Sequence, residues 1–327
     1  MKQDAVPAPV IVVGSVNQDY SIAVPRPVAP GETILATGMT LHAGGKGGNQ
    51  AVAAARMGVD VSLIACVGDD PDGEALLGAL RAEGVDTSSV EYSHETRTGL
   101  AIVEVAESGE NSIVVVPGAN FSLSARRVGV ATRALAAPGG ILVLQAEIKI
   151  DVIRSAIRAG ERFGLRTVFN LAPYQDVPDD LLAVSDPLVV NESEASALIG
   201  YAVHSLDDAE KAVTELVTRC RSVIITLGGQ GAVWSDRTRS GHIPAEKAVE
   251  VVDTTGAGDA FIGALAASLA RSASLEEAVT IGIKAGTFAV GRPGAQASYP
   301  TPDDIGLLVV PLHTPTRTGV EDMLGIG

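Results

Sequence analysis

The chain has 327 residues and a mass of 33.4 kDa, enough for one large α/β domain or a main domain with a small appendage. Its composition is 46% hydrophobic but only 3% aromatic, so the core must be Ala, Val, Leu and Ile, as in parallel strands buried under helices. A formal net charge of -15 argues against nucleic acid or an anionic membrane as partner; a phosphate ligand would have to be held locally by backbone N–H groups, a few cations and metal ions.

In chain order, "PVIVVGSV" reads as a strand, "NQAVAAARMG" as a helix stopped by Gly58, "SLIACVG" as a strand, and "DGEALLGALRAEG" as a helix with Gly84 past its end. The rhythm returns with "ILVLQAE", "DVIRSAIRAGERFG", "RTVFNLAP", "PLVVNESE", "DDAEKAVTELVTRC" and "SVIITLGG". Later, Ser274 and Glu277 form a capping box that opens one more helix. Strand and helix in turn imply a doubly wound, mainly parallel central sheet with helices on both faces.

Two segments break the rhythm, at about 18–42 and 97–118. They are rich in Thr, Val and Ile, turn at "APGE" and "ESGEN", and read as β-ribbons of a small projecting sheet. Such a sheet covers a site as a lid, pairs with another subunit, or serves only as a structural edge. No repeat or linker divides the chain, so residues 1–327 read as one α/β domain, with an irregular tail from about 301 to 327.

The N-terminal "MKQDAVPAPVIVVGSV" lacks the pattern of a signal peptide, and no stretch approaches the roughly 18 apolar residues of a membrane helix, so a cytoplasmic protein is expected. Cys66 and Cys220 flank strand-like runs and read as buried reduced thiols, with a disulfide or metal site as the alternative. His42, His94, His204, His242 and His313 are scattered without the spacing of zinc ligands.

The chemistry gathers at glycine turns. In "DTTGAGDAFIGALAASLA" the run after Asp259 is helical, so Gly256, Ala257 and Gly258 open a helix whose first amides lack internal partners. Those amides and the helix dipole make an anion hole, and Asp259 beside it is placed to accept the proton of an attacking hydroxyl. An acidic helix cap is the alternative.

A second cluster, "HAGGKGGNQAVAAA", also opens a helix and offers Lys46 and Asn49 as donors to sugar hydroxyls. It is neither a Walker A loop nor a dinucleotide fingerprint. "GSVNQD" ends the first strand with Asn17 and Asp19 on one side, where a carboxylate can accept from two hydroxyls; a solvated turn is the alternative. In "VVNESEASAL", Asn191 and Glu194 share a helical face, and the acid can hold Mg2+ through water. Thr226 and Gly228 in "ITLGGQGA" suit a nucleotide or a plain tight turn.

Together "DTTGAGDAFIGAL" and "GGKGGNQAVAAARMG" resemble the two signatures of the ribokinase-type carbohydrate kinase family, and the likeness runs from "GSVNQD" to "GRPGAQAS". The resemblance implies phosphoryl transfer from ATP to the primary hydroxyl of a sugar, with Asp259 as base and Gly256, Ala257 and Gly258 as the anion hole. It assigns Asn17, Asp19, Gly45, Lys46, Asn49 and Glu147 to the sugar, and Asn191, Thr226, Gly228, Gly231 and Gly258 to the nucleotide. Glu194 would help place Mg2+. Asp253, Thr255, Ala289, Arg292, Gly294 and Ser298 would surround a K+ ion, mostly through carbonyl oxygens. The family's lid pairs with a second subunit, so a homodimer is the expectation. Leu171 and Gly48 depart from residues frequent in the family, and the tail is longer and more irregular than its usual closing helix.

Overall fold

The computed structural model describes residues 6–108, 111–246 and 250–307. The first apolar run forms β1 (Val10–Val13), buried along its whole length. It is followed by the antiparallel pair β2 (Asn17–Val24) and β3 (Gly38–Gly44). Next come α1 (Lys46–Arg56), β4 (Val61–Ile64), β5 (Cys66–Gly68) and α2 (Pro71–Ala82). Proline opens α2 and the Asp70 side chain caps it, accepting from the Gly73 N–H at 2.9 Å. The strands β6 (Val85–Asp86), β7 (Glu91–Ser93), β8 (Gly99–Ala106) and β9 (Asn111–Val116) lead to α3 (Ala125–Leu135).

The second half continues with β10 (Ile141–Gln145), α4 (Ile150–Arg162), β11 (Arg166–Asn170), α5 (Asp179–Leu182), β12 (Leu188–Asn191), α6 (Glu192–Ile199) and α7 (Leu206–Leu216). It closes with β13 (Val223–Thr226), β14 (Ala232–Ser235), β15 (Ser240–Ile243), α8 (Ala257–Ala270) and α9 (Leu275–Ala289). The capping box read from Ser274 and Glu277 is present at the start of α9.

Nine strands form one sheet in the order β15-β14-β13-β12-β11-β10-β1-β4-β6, parallel except for the two pairings at the β15 end. Alternation along β1 sends Val10 and Val12 to one face and Ile11 and Val13 to the other. The first face packs against α1, α2, α8 and α9, the second against α3 to α7. The chain leaves β1 towards β4 and returns on its other side as β10, so the order reverses between β1 and β10. A doubly wound sheet binds ligands beyond the strand ends at such a switch point.

A separate four-stranded sheet has the order β3-β2-β8-β9 and holds the two ribbon segments. Three local readings need correction. The first strand ends at Val13, and Asn17 and Asp19 belong to β2 of the small sheet rather than to the end of a core strand. "SLIACVG" is two strands: β4 joins the large sheet while β5 pairs with β7, because the chain turns away at Ala65. The helix "DDAEKAVTELVTRC" stops at Leu216, and the structure adds α3, which the sequence reading lacks.

Both cysteines are free and buried, and burial pushes their thiols up to about 11 for Cys66 and about 12 for Cys220. No helix among the described residues is long and apolar enough to cross a membrane. Of the tail, residues 308–327 lie outside the described residues; before them, Asp303–Ile305 makes a single helical turn.

Candidate active site

The switch point gathers the polar residues. After β1, the Ser15 hydroxyl donates to Glu147, which follows β10, and the Lys46 N–H donates to the same Glu147 oxygen at 3.0 Å. Three segments remote in sequence are thereby tied together. Asn17 is buried at the start of β2, its Oδ1 accepting from Asn120 Nδ2 at 2.7 Å. Asp19 stands two residues on, on the same face, and lies so close over Gly44 that a Cβ there would come within 2.1 Å of its Oδ2.

One oxygen of Asp19 is buried without a hydrogen-bond partner among the described residues. Burial first, then the Glu147 and Asp259 carboxylates, push Asp19 up to about 7 against the opposing pull of Lys46. Lys46 is half-buried and is held above its ordinary value mainly by Asp259, with Glu147, Glu194 and Asp19 adding to it and burial opposing. A single ammonium thus faces four carboxylates, and an anionic phosphate needs further positive charge from elsewhere.

Backbone supplies some of it. Gly256 precedes α8 with φ 77, in the left-handed region that glycine alone adopts freely, and no side chain among the described residues caps the helix. Space is open where a Cβ on Gly258 would stand. Uncapped amides at the positive end of a 14-residue helix, with room before them, can bind an anion.

Asp259, in the first turn of α8, is only 7% exposed. Its Oδ2 accepts from Asn49 Nδ2 at 3.0 Å and its Oδ1 from Gln50 Nε2 at 2.9 Å. The carboxylate therefore sits at the meeting of α1 and α8, beside the uncapped amides. Gly45, just before α1 with φ 83, gives its carbonyl to the Asn49 N–H.

The residues assigned to the nucleotide lie along neighbouring strand ends. Asn191 ends β12 and is in register with Thr226 at the end of β13; Gly228 and Gly231 bound the turn that follows. Asn191 and Glu194 form a capping box: Asn191 Oδ1 accepts from the Glu194 N–H at 2.9 Å, and Glu194 Oε2 from the Asn191 N–H at 2.8 Å. Burial raises Glu194, opposed by the Asn191 bond and by Lys46. Among the described residues no group of three or more His, Cys, Asp or Glu could hold a metal; a carboxylate such as Glu194 suits an ion that keeps much of its own water.

The cation residues also converge in part. Asp253 accepts from the Thr255 N–H at 2.9 Å and the Gly294 N–H at 2.8 Å, fastening the loop before α8 to the loop after α9. Burial pushes Asp253 up, but the bonds from Thr255 and Gly294 outweigh it and hold the carboxyl below its ordinary value. The carboxylate is thus held in its charged form between the two loops that carry the residues assigned to a cation. Ser298 turns its hydroxyl to the Ala295 carbonyl at 2.7 Å, the Arg292 N–H bonds the Ala289 carbonyl at 3.1 Å, and the Arg292 guanidinium lies 3.5 Å over the Phe288 ring. A cavity of about 520 Å³ opens beside this loop between Glu250, Val252, Lys284 and Arg292; Asp259 does not line it.

Sequence reading missed the amides that support the site: Gln50, Asn120, Gln145, Asn170 and Gln296. Gln296 Nε2 donates to Asn49 Oδ1 at 3.0 Å. A signal existed, since Gln50 and Gln145 are polar residues in the otherwise apolar runs "NQAVAAA" and "ILVLQ".

Residues 8–302 match the model of the pfkB family carbohydrate kinases. A protein of Haemophilus influenzae named ribokinase is 38% identical over 291 residues, 89% of this chain and 94% of that one. A deoxyribokinase of Salmonella typhi is 34% identical over 294 residues, 89% of this chain and 95% of its own length. The solved structure of Arabidopsis thaliana ribokinase complexed with ribose and ATP superposes with a TM-score of 0.82 at 29% identity, covering 92% of this chain and 98% of that one.

Proposed function

The chain belongs to the pfkB family of carbohydrate kinases and is a sugar kinase of the ribokinase type, and on that premise we propose that it moves the terminal phosphoryl group of ATP onto the primary hydroxyl of D-ribose, giving ribose 5-phosphate and ADP. The observation that carries this reading is Asp259, a buried carboxylate gripped by two amides beside the uncapped start of α8.

In the reaction the hydroxyl oxygen bonds to the γ-phosphorus in line with the bond to the bridging oxygen, which breaks as ADP leaves. Asp259 takes the hydroxyl proton. The amides of Gly256, Ala257 and Gly258 donate to the phosphoryl oxygens as charge passes across them. Asn17, Asp19, Gly45, Lys46, Asn49 and Glu147 hold the sugar, and Asn191, Thr226, Gly228, Gly231 and Gly258 the nucleotide. Glu194 would hold Mg2+ through water, and that ion would offset phosphate charge. Asp253, Thr255, Ala289, Arg292, Gly294 and Ser298 would hold K+, which would add positive charge behind the anion hole.

The relative named deoxyribokinase, at an identity close to that of the ribokinases, makes 2-deoxyribose the second reading. An ADP-release screen over ribose, 2-deoxyribose, other pentoses and nucleosides separates them. Ribose should give the highest kcat/KM; a nucleoside in that place would overturn the assignment.

A homodimer through the small sheet belongs to the same proposal. Tyr20, Leu41, Ile102 and Val114 are in register across all four strands, on the face opposite Asp19. Leu41 is 51% exposed, Ile102 40% and Val114 60%, an apolar row suited to a second copy's sheet while Asp19's face covers the sugar. The setting is the cytoplasm, where ATP is at hand and Cys66 and Cys220 stay reduced.

A further inference from the structure

We propose that Gln50 is a positioning residue for the phosphoryl transfer: its side-chain amide fixes the orientation of the Asp259 carboxylate, and Gln145 fixes Gln50 in turn. The inference rests on the reading of Asp259 as the base. A carboxylate turns freely about its last torsion, for which the preferences are broad. Which lone pair faces the sugar hydroxyl therefore depends on what grips the two oxygens.

Here they are gripped separately, Oδ2 by Asn49 and Oδ1 by Gln50. Consecutive residues of one helix leave its axis about 100° apart, so the two donors approach from different sides and set the carboxylate plane.

The amide of Gln50 has no choice of orientation. A carboxylate offers only acceptors, so Gln50 must turn its NH2 towards Asp259. The same nitrogen donates to Asn170 Oδ1 at 3.0 Å, and Gln50 Oε1 accepts from Gln145 Nε2 at 2.8 Å. Asn170 and Gln145 are the last residues of neighbouring parallel strands, β11 and β10, so the relay is anchored in the large sheet. Gln50 and Gln145 are wholly buried.

One atom in the relay is left over. Gln145 Oε1 is buried without a hydrogen-bond partner among the described residues, pressed against Gly14, where a Cβ would come within 1.9 Å of it. Turning that amide over would set its oxygen against Gln50 Oε1 and lose the bond. A stranded buried oxygen destabilises the fold, and the four residues before it in the strand, Ile, Leu, Val and Leu, are all apolar. An apolar side chain at 145 would suit stability better. Among the described residues, the amide's one hydrogen bond is its N–H on Gln50.

Two variants and a cycle test this. Gln50→Met should lower kcat by about tenfold to a hundredfold, the effect of a slightly misplaced reacting group, and leave the ribose Kd by calorimetry within about threefold. Gln145→Met removes both the donor and the stranded oxygen: its melting temperature should equal or exceed the parent's while kcat falls by about fivefold. In an Asp259→Asn background, Gln50→Met should cost less than about twofold of the residual rate, because there is no carboxylate left to orient.

Unchanged kcat in Gln50→Met, the same loss with and without the Asp259 carboxylate, or kcat and Kd shifting together would each overturn the proposal. Should Gln50→Met fail to fold, Gln145→Met decides alone: full activity at undiminished stability refutes the relay. Full turnover by Asp259→Asn refutes the base itself, whereas an inactive Asp259→Asn beside a fully active Gln50→Met refutes only the positioning role.

Discussion

Asn49 Nδ2 lies 3.0 Å from Asp259 Oδ2, so a residue assigned to the sugar also touches the residue assigned to the proton. Its other amide atom, Oδ1, is taken by Gln296. Asn49→Ala should therefore raise the ribose KM and lower kcat together, by about tenfold to a hundredfold in kcat/KM, the worth of a hydrogen bond to a charged group. Steady-state kinetics checks it; a change in KM alone would remove Asn49 from the proton's neighbourhood.

Asp19, proposed to hold the sugar, carries a testable pH dependence. Its carboxyl is pushed up to about 7 from an ordinary 3.8, so the folded protein keeps it protonated where the unfolded chain does not. Its contribution to stability is complete below the unfolded value and is lost as the pH rises through the folded one. The ionised form is the one that accepts two sugar hydroxyls, so the ribose Kd should fall by about tenfold between pH 6 and pH 8. Calorimetric titration at the two pH values measures this, and Asp19→Asn should bind weakly and independently of pH.

Val114 tests the sheet-to-sheet dimer. It stands 60% exposed on the face away from Asp19, and a charge there would be desolvated by any partner sheet. Sedimentation velocity should show a dimer for the parent and a monomer for Val114→Glu. A parent that sediments as a monomer would end that proposal.

Asp253 fastens the two loops proposed to hold K+. The rate in potassium chloride should exceed that in choline chloride at equal ionic strength by about tenfold, and Asp253→Asn should flatten the difference. Equal rates in the two salts would show that the loops act without the ion.

The alternation of strands and helices was legible because buried parallel strands are apolar along their length, as β1 is and β10 is up to Gln145. The glycine turn and the acid in the first turn of α8 were legible because the glycines stand directly before an apolar helical run. What could not be read was contact between distant segments. Nothing in the spacing says that Asn120 pairs with Asn17, or that Gln145 reaches Gln50 95 positions away. The placement of Asn17 in the small sheet was hidden for a related reason: "VIVVGSVNQDYSIAV" reads as one extended run, yet β1 ends at Val13 and β2 begins at Asn17, and which sheet a strand joins depends on its partners.

The central claim is that Asp259 takes the proton while backbone amides receive the phosphoryl charge. Its most direct measurement is the rate of ribose 5-phosphate formation by Asp259→Asn, with ribose binding followed in the same preparation. The account predicts a rate at least about a hundredfold below the parent's at an undiminished ribose affinity. A variant that binds ribose and phosphorylates it at the parent's rate would contradict it.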